Sequence, residues 1–222
     1  MIKSKRLQAI LSLINSDDSI IDVGCDHAYI AIESAKKGCK RILATDISSG
    51  AIAIANQNII KYELENIIQT KKCDGLQGID LSKYNTVIIS GMGRITIQGI
   101  LSNVSLPTIK KIIVQSNNEL EELRRFMCDL GYAIQNELVV YEKKHYYTII
   151  EYKKTARKQE LKEEEYLYGI YHKENRKYYQ HLMEKLDFVE KQLPDTHTQE
   201  KEKIQKQKEL LRQYLMEEDR MI

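Results

Sequence analysis

The stretch that decides the fold is Ile20-Ile21-Asp22-Val23-Gly24-Cys25-Asp26-His27-Ala28-Tyr29. Apolar residues run into an acidic residue and a glycine, and a polar turn then opens a helical pattern. A parallel strand of a doubly wound α/β sheet ends this way where it meets a nucleotide pocket. The turn itself is unusual. A dinucleotide-binding turn carries Gly-x-Gly-x-x-Gly, with glycines that let the backbone approach a pyrophosphate. Here Gly24 stays, but Asp26 and Ala28 occupy the next two glycine positions. A carboxylate and an imidazole do not cradle phosphate. They suggest a cofactor without phosphates and a turn that also faces the substrate.

Outward from this stretch, β-branched runs alternate with helical ones. Strands are expected at 19–23, 41–46, 67–71, 86–90 and 111–115, and helices at 28–37, 49–62, 95–102 and 119–130. Continuous apolar runs such as Val87-Ile88-Ile89 and Ile112-Ile113-Val114 fit strands covered on both faces. Gly38 and Gly131 stand where helices should stop. After Gly131 the pattern becomes two strands, 132–141 and 145–152, around a charged turn. A parallel sheet closed by a C-terminal antiparallel hairpin is the ending of the Rossmann-like class I S-adenosylmethionine-dependent methyltransferase fold, not of the dehydrogenase fold.

At 222 residues, one domain plus an appendage is expected. The boundary is expected near residue 155, where charge density rises. Residues 1–152 hold 18 Lys/Arg and 17 Asp/Glu, while residues 153–222 crowd 16 and 15 into a shorter segment. Apolar positions there recur at Leu167, Tyr171, Tyr178, Leu182, Leu186, Val189 and Leu193, and again at Ile204, Leu211 and Leu215. Steps of three, four or seven predict two long helices paired as an antiparallel coiled-coil hairpin, turning at Pro194. Lys173, Arg176, Lys177, Tyr178, Tyr179 and His181 interleave cations with aromatics, a composition suited to gripping RNA.

The net charge of +2 excludes a strong overall basic field. The four cysteines lack ligand spacing, so no metal is expected and reduced thiols in a cytoplasmic protein are. The first residues are basic, but Leu7, Ile10, Leu11 and Ile14 have helical spacing rather than a continuous signal-peptide core. No apolar run approaches the roughly 18 residues of a membrane span.

Four strand ends then define a candidate site. Asp22, Gly24 and Cys25 end the first. Asp46, 24 residues after Asp22, ends the second, where a carboxylate can accept both ribose hydroxyls, with Ile47 beside it. Asp74 and Gly75 follow the third strand, where an Asp can receive an adenine amino group. Ser90, Gly91 and Met92 close the fourth, with Gly93 and Arg94 beyond, where a target base would lie.

The chain resembles the bacterial tRNA (adenine-N1)-methyltransferases that modify adenosine 22 of the D-arm. The resemblance spans nearly the whole chain. Its most specific block is Asp22 to Tyr29, against the family's Asp-Ile-Gly-Ser-Asp-His-Ala-Tyr. Asp74-Gly75-Leu76, Gly91-Met92-Gly93 and the pair Gln115 and Asn117 match further blocks. Departures are Ile30-Ala31 for Leu-Pro, Asp46 for Glu, Ser49-Gly50 for Gly-Pro, Arg94 for a glycine and Ser116 for a proline. The resemblance implies S-adenosylmethionine as cofactor and tRNA as partner, and the sequence leaves monomer or homodimer open. It implies catalytic roles for Asp26, His27 and Tyr29, and substrate contacts by Arg6, Gly93, Arg94, Asn117, Lys173, Arg176 and Lys177. Methylation of another substrate, or RNA binding without catalysis, are the alternatives left open by the residues themselves.

Overall fold

The computed structural model describes residues 4–170 and 172–220. Two compact units divide at Gln159/Glu160. In the first, α1 (Lys5–Ser12) precedes β1 (Ser19–Val23), α2 (Tyr29–Lys36), β2 (Arg41–Asp46), α3 (Ser49–Lys61) and β3 (Ile68–Lys72). Then come β4 (Thr86–Met92), α4 (Arg94–Ser102), β5 (Lys111–Ser116), α5 (Leu120–Asp129), β6 (Tyr132–Glu142) and β7 (His145–Lys154). One seven-stranded sheet runs in the order β3-β2-β1-β4-β5-β7-β6. Strands β1 to β5 pair in parallel, and β7 pairs antiparallel with both β5 and β6. This is the methyltransferase order expected from the hairpin.

The apolar runs explain the layering. All six residues of β5 are buried, as a strand covered on both faces requires. On one side Ile10, Ile14, Ile30, Ile32 and Ile59 pack with Ile20, Ile42, Ile88 and Ile113 of the sheet. Ile97, Leu101, Leu123 and Met127 bury the inward faces of α4 and α5. Two buried ion pairs tie distant segments together. Arg124 Nη2 meets Glu137 Oε1 at 2.5 Å, and Lys111 Nζ meets Asp18 Oδ2 at 2.5 Å. Residues 155–159 stay attached to this unit. Thr155 donates its N–H to the Gly131 carbonyl, and Gln159 Oε1 accepts from the Ile134 N–H at 2.7 Å.

The sheet order reverses between β1 and β4. Chain crossovers leave in opposite directions there, and a crevice opens at the carboxyl ends of the strands. β4 runs two residues beyond the expected Ser90. A bulge with Gly91 at φ +81° lets Met92 re-pair with Ser116. A strand pattern read from side-chain alternation stops at such a bulge, because the extra residue breaks the period of two.

The second unit contains α6 (Glu163–Tyr168), α7 (Arg176–Gln192) and α8 (Thr198–Arg220), with a 3-10 turn at Lys173–Asn175. The first of the two expected long helices is therefore broken. Gly169 ends α6 at φ +87°, ψ +177°, a conformation that terminates a helix and that glycine adopts readily. Tyr171, counted in the expected stripe, lies outside the described residues. α7 and α8 pair antiparallel on either side of 193–197, and Lys208 reaches Asp187 and Glu190 across them at 2.5 and 2.8 Å.

Candidate active site

The turn after β1 is held from several directions. The Gly24 and Cys25 N–H groups both donate to the Thr45 carbonyl, at 2.8 and 2.9 Å. Gly24 has φ +74°, a conformation that strains other residues, and a Cβ there would stand 2.4 Å from Met92 Cε and push that side chain aside. Asp26 (φ +47°) and Ala28 (φ +59°) also occupy the left-handed region. Left-handed non-glycine residues carry a conformational cost and cluster at functional sites. Asn58 Nδ2 donates to the His27 carbonyl at 3.0 Å, a tether with no signature in the local sequence.

Held this way, the turn presents its side chains to a cavity of about 270 Å³. Arg6, Asp22, Gly24, Cys25, Asp26, His27, Tyr29 and Ser90 line it, so residues from α1, β1, α2 and β4 converge. The His27 and Tyr29 rings stack with centroids 5.4 Å apart and planes within 13°. Asp26 Oδ2 lies 3.7 Å from His27 Nε2, and its side chain is 75% exposed.

Asp46 sits at the end of β2. Its Oδ1 accepts the Ser48 N–H at 2.9 Å and its Oδ2 the Asp26 N–H at 3.3 Å. Each oxygen keeps a further lone pair for hydroxyl donors. Ile47 beside it is 66% exposed, an apolar surface at the cavity edge of the sheet. Asp22 is buried, and burial pushes its carboxyl up to about 7 despite a hydrogen bond from the Ala31 N–H, with the Asp46 charge adding to the rise. That N–H belongs to the first turn of α2, where the helix leaves donors unsatisfied. Burial also lifts the Cys25 thiol to about 12, so it remains a protonated wall of the cavity rather than a nucleophile.

A second cavity of about 190 Å³ lies between the turn after β3 and α4. Asp74, Leu76, Thr96 and Ile100 line it, and Gly75 packs against Ile100. A carboxylate beside apolar walls suits a purine ring with an exocyclic amine.

The edge expected to meet a target base lies beyond β4. Gly93 caps α4 without a side chain, and Asn118 Oδ1 accepts the Arg94 N–H at 3.0 Å instead. The Arg94 guanidinium is engaged within the protein. Nη1 donates to Gln98 at 2.9 Å and Nη2 pairs with Glu119 at 3.2 Å. It thus braces the N-termini of α4 and α5 rather than projecting into solvent. Asn117 Nδ2 donates to the Gly91 carbonyl at 2.9 Å.

Lys173, Arg176 and Lys177 belong to the second unit. Arg176 and Lys177 are exposed. Tyr178 and Tyr179, expected to offer stacking faces, are 8% and 1% exposed and form part of that unit's core. Sequence reasoning also left Asn58, Thr45, Asn118 and Glu119 without roles, because each acts through a contact distant in the chain.

A carboxylate-rich crevice without a phosphate-binding glycine loop, at the switch point of this sheet, defines a methyltransferase fold. The chain belongs to the methyltransferase-domain family, whose model matches residues 3–150. A tRNA (adenine(22)-N(1))-methyltransferase from Bacillus subtilis is 27% identical over 150 residues, covering 66% of this chain and 63% of that relative. The structure of M. capricolum TrmK with S-adenosyl-homocysteine superposes with a TM-score of 0.86 at 29% identity, covering 96% and 98% of the two chains. A Streptococcus pneumoniae candidate tRNA (m1A22) methyltransferase gives a TM-score of 0.87 at 26% identity, covering 96% and 99%. No described helix is long and apolar enough to cross a membrane.

Proposed function

We propose that this chain transfers the methyl group of S-adenosylmethionine to N1 of adenosine 22 in tRNA, as a cytoplasmic enzyme. The observation that carries the reading is the convergence of Asp26, His27 and Tyr29 on the cavity that Asp22 and Gly24 floor. The likeness to tRNA adenosine-22 methyltransferases over nearly the full chain supports it.

The residues fit the cofactor. Asp46 keeps lone pairs for the ribose diol, Asp74 lines a cavity suited to a purine, and Gly24 adds no side chain to the cavity it lines. When bound, S-adenosylmethionine supplies a methyl group on a positively charged sulfur. The protein's own task is positioning. Adenine N1 lies on the Watson–Crick edge, so the nucleotide must leave its stack to be reached. The stacked pair His27 and Tyr29 offers an aromatic surface to receive it. N1 carries a lone pair at neutral pH, so no strong base is needed to create the nucleophile. Alignment and desolvation supply most of the acceleration. The methylated ring is cationic, and the Asp26 carboxylate stabilises that charge as it develops. Arg176 and Lys177 on the arm contact tRNA phosphate, and Arg94 keeps the target loops together.

The test is label transfer from tritiated S-adenosylmethionine to unmodified tRNA carrying adenosine at position 22, beside the same tRNA with guanosine there. Label in the first alone is expected. Label in both would move the target nucleotide, and no label from a chain that binds the cofactor would overturn the reading.

A further inference from the structure

Arg6 Nη1 donates to Gln115 Oε1 at 2.9 Å, Gln115 Nε2 donates to Asn117 Oδ1 at 3.0 Å, and Asn117 Nδ2 donates to the Gly91 carbonyl at 2.9 Å. This chain has a fixed direction. A guanidinium only donates and a backbone carbonyl only accepts, so neither amide between them can turn over without setting like against like. Both ends are anchored. The Arg6 guanidinium lies 5.5 Å from the Tyr147 ring centroid, and its backbone N–H donates to Glu142 Oε2 at 2.9 Å. At the other end, Gly91 is held in the β4 bulge, and the Asn117 N–H donates to the Met92 carbonyl at 2.9 Å. Gln115 is 1% exposed, whereas Asn117 stands exposed at the carboxyl edge beside the bulge.

These bonds use one N–H and one lone pair of the Asn117 amide. The other N–H and lone pair are left for a ligand. An asparagine amide in one fixed orientation matches adenine in a particular way: its oxygen accepts from N6 and its N–H donates to N7. That contact lies on the Hoogsteen edge and leaves N1 uncovered. Guanine instead presents two acceptors, O6 and N7, to the same amide, and O6 would face Oδ1.

We infer that Asn117 reads the target adenine through N6 and N7, and that Arg6 and Gln115 are positioning residues that fix the orientation of its amide. The inference rests on the methylation reading above and specifies how the same site selects its base. It gives Arg6 a role inside the edge of the sheet in place of a phosphate contact.

The test uses the full chain and two tRNAs, one with adenosine and one with 7-deazaadenosine at position 22. Replacing N7 by C–H removes one of the two bonds and leaves N1 intact. For the wild type, kcat/KM is expected to fall on the order of tenfold with the 7-deaza substrate. Asn117→Ala should lower kcat/KM for adenosine and bring the ratio of the two substrates close to one. Arg6→Met should shrink the ratio too, while Arg6→Lys, which still donates to Gln115, should retain more of it. Cofactor affinity by calorimetry should not change in Asn117→Ala. A wild-type ratio of one, or an Asn117→Ala variant that keeps the wild-type ratio, overturns the inference and leaves the methylation reading standing. A full wild-type ratio in Arg6→Met overturns the positioning role. No transfer to either tRNA by a cofactor-binding wild-type chain overturns the methylation reading and this inference together.

Discussion

β5 buries all six of its residues, whereas α8, nearly four times as long, buries Ile204, Leu211 and Tyr214 among its described side chains. The sheet is held by contiguous apolar surface on both faces and by ion pairs sealed from water. The arm is held by a few tyrosines whose hydroxyls bond backbone carbonyls. Tyr168 Oη donates to the Gln207 carbonyl and Tyr214 Oη to the Gly169 carbonyl, each at 2.5 Å. Exposed ion pairs such as Arg212–Glu209 add about 0–1 kcal/mol each. A region with so little apolar burial opens at lower free energy than a packed sheet. Under the proposed function, the precise chemistry belongs to the rigid unit and adaptable tRNA contact to the softer one.

The sharpest way to break this division is at the turn after β1. Asp26→Ala should lower kcat by roughly 10²- to 10⁴-fold, with cofactor affinity by calorimetry unchanged. Asp26→Gly should do the same while melting no lower than the wild type, since glycine relieves the left-handed backbone. Activity near wild type in either variant would remove the carboxylate from the chemistry.

Glu137→Ala should destabilise the first unit by about 3–5 kcal/mol in urea, because it removes the carboxylate that balances the fully buried Arg124 guanidinium. Residual kcat/KM under folding conditions should stay close to wild type, which separates support of the sheet from catalysis.

The pH dependence of stability tests Asp22. Its carboxyl is raised from 3.8 to about 7 in the folded chain. Below about 4 it is protonated in both folded and unfolded chains. Between there and about 7 the folded chain keeps a proton that the unfolded chain has released, so stability falls as pH rises. Asp22→Asn should flatten that slope between about pH 4 and about 7 when urea midpoints are compared.

On the arm, Arg176→Glu combined with Lys177→Glu should raise KM for tRNA about tenfold, leave kcat alone and flatten the salt dependence of KM. An unchanged KM would move tRNA contact elsewhere. Smallest is Tyr214→Phe, expected to lower arm stability by about 1 kcal/mol through loss of its bond to Gly169. Hydrogen exchange localised to α6 and α8 should report it while the sheet amides stay protected.

The elements of the first unit were legible because each carries a local signal. Apolar runs of β-branched residues mark strands, and Gly38 and Gly131 mark helix ends. The arm was legible only in part. Period analysis joined α6 and α7 into one helix because Leu167 and Tyr178 share a phase, although Gly169 interrupts the chain between them. The same period set Tyr178 on the apolar stripe but could not say that Tyr179 faces inward, since aromatic residues among cations look alike on a binding face and over a small core.

For the site, the strand-end residues Asp22, Asp46, Asp74 and Ser90 were named from order and spacing alone. Position at a strand's carboxyl end depends only on where the strand stops, and that is a property of local sequence. The relay from Arg6 through Gln115 and Asn117 to Gly91, the Asn58 tether and the Arg94–Glu119 brace were decided by tertiary structure. Each joins residues separated by 25 or more positions, except the short step from Gln115 to Asn117. Hydrogen bonds are short and directional, so which groups meet depends on how strands are ordered in the sheet and where a bulge turns the backbone.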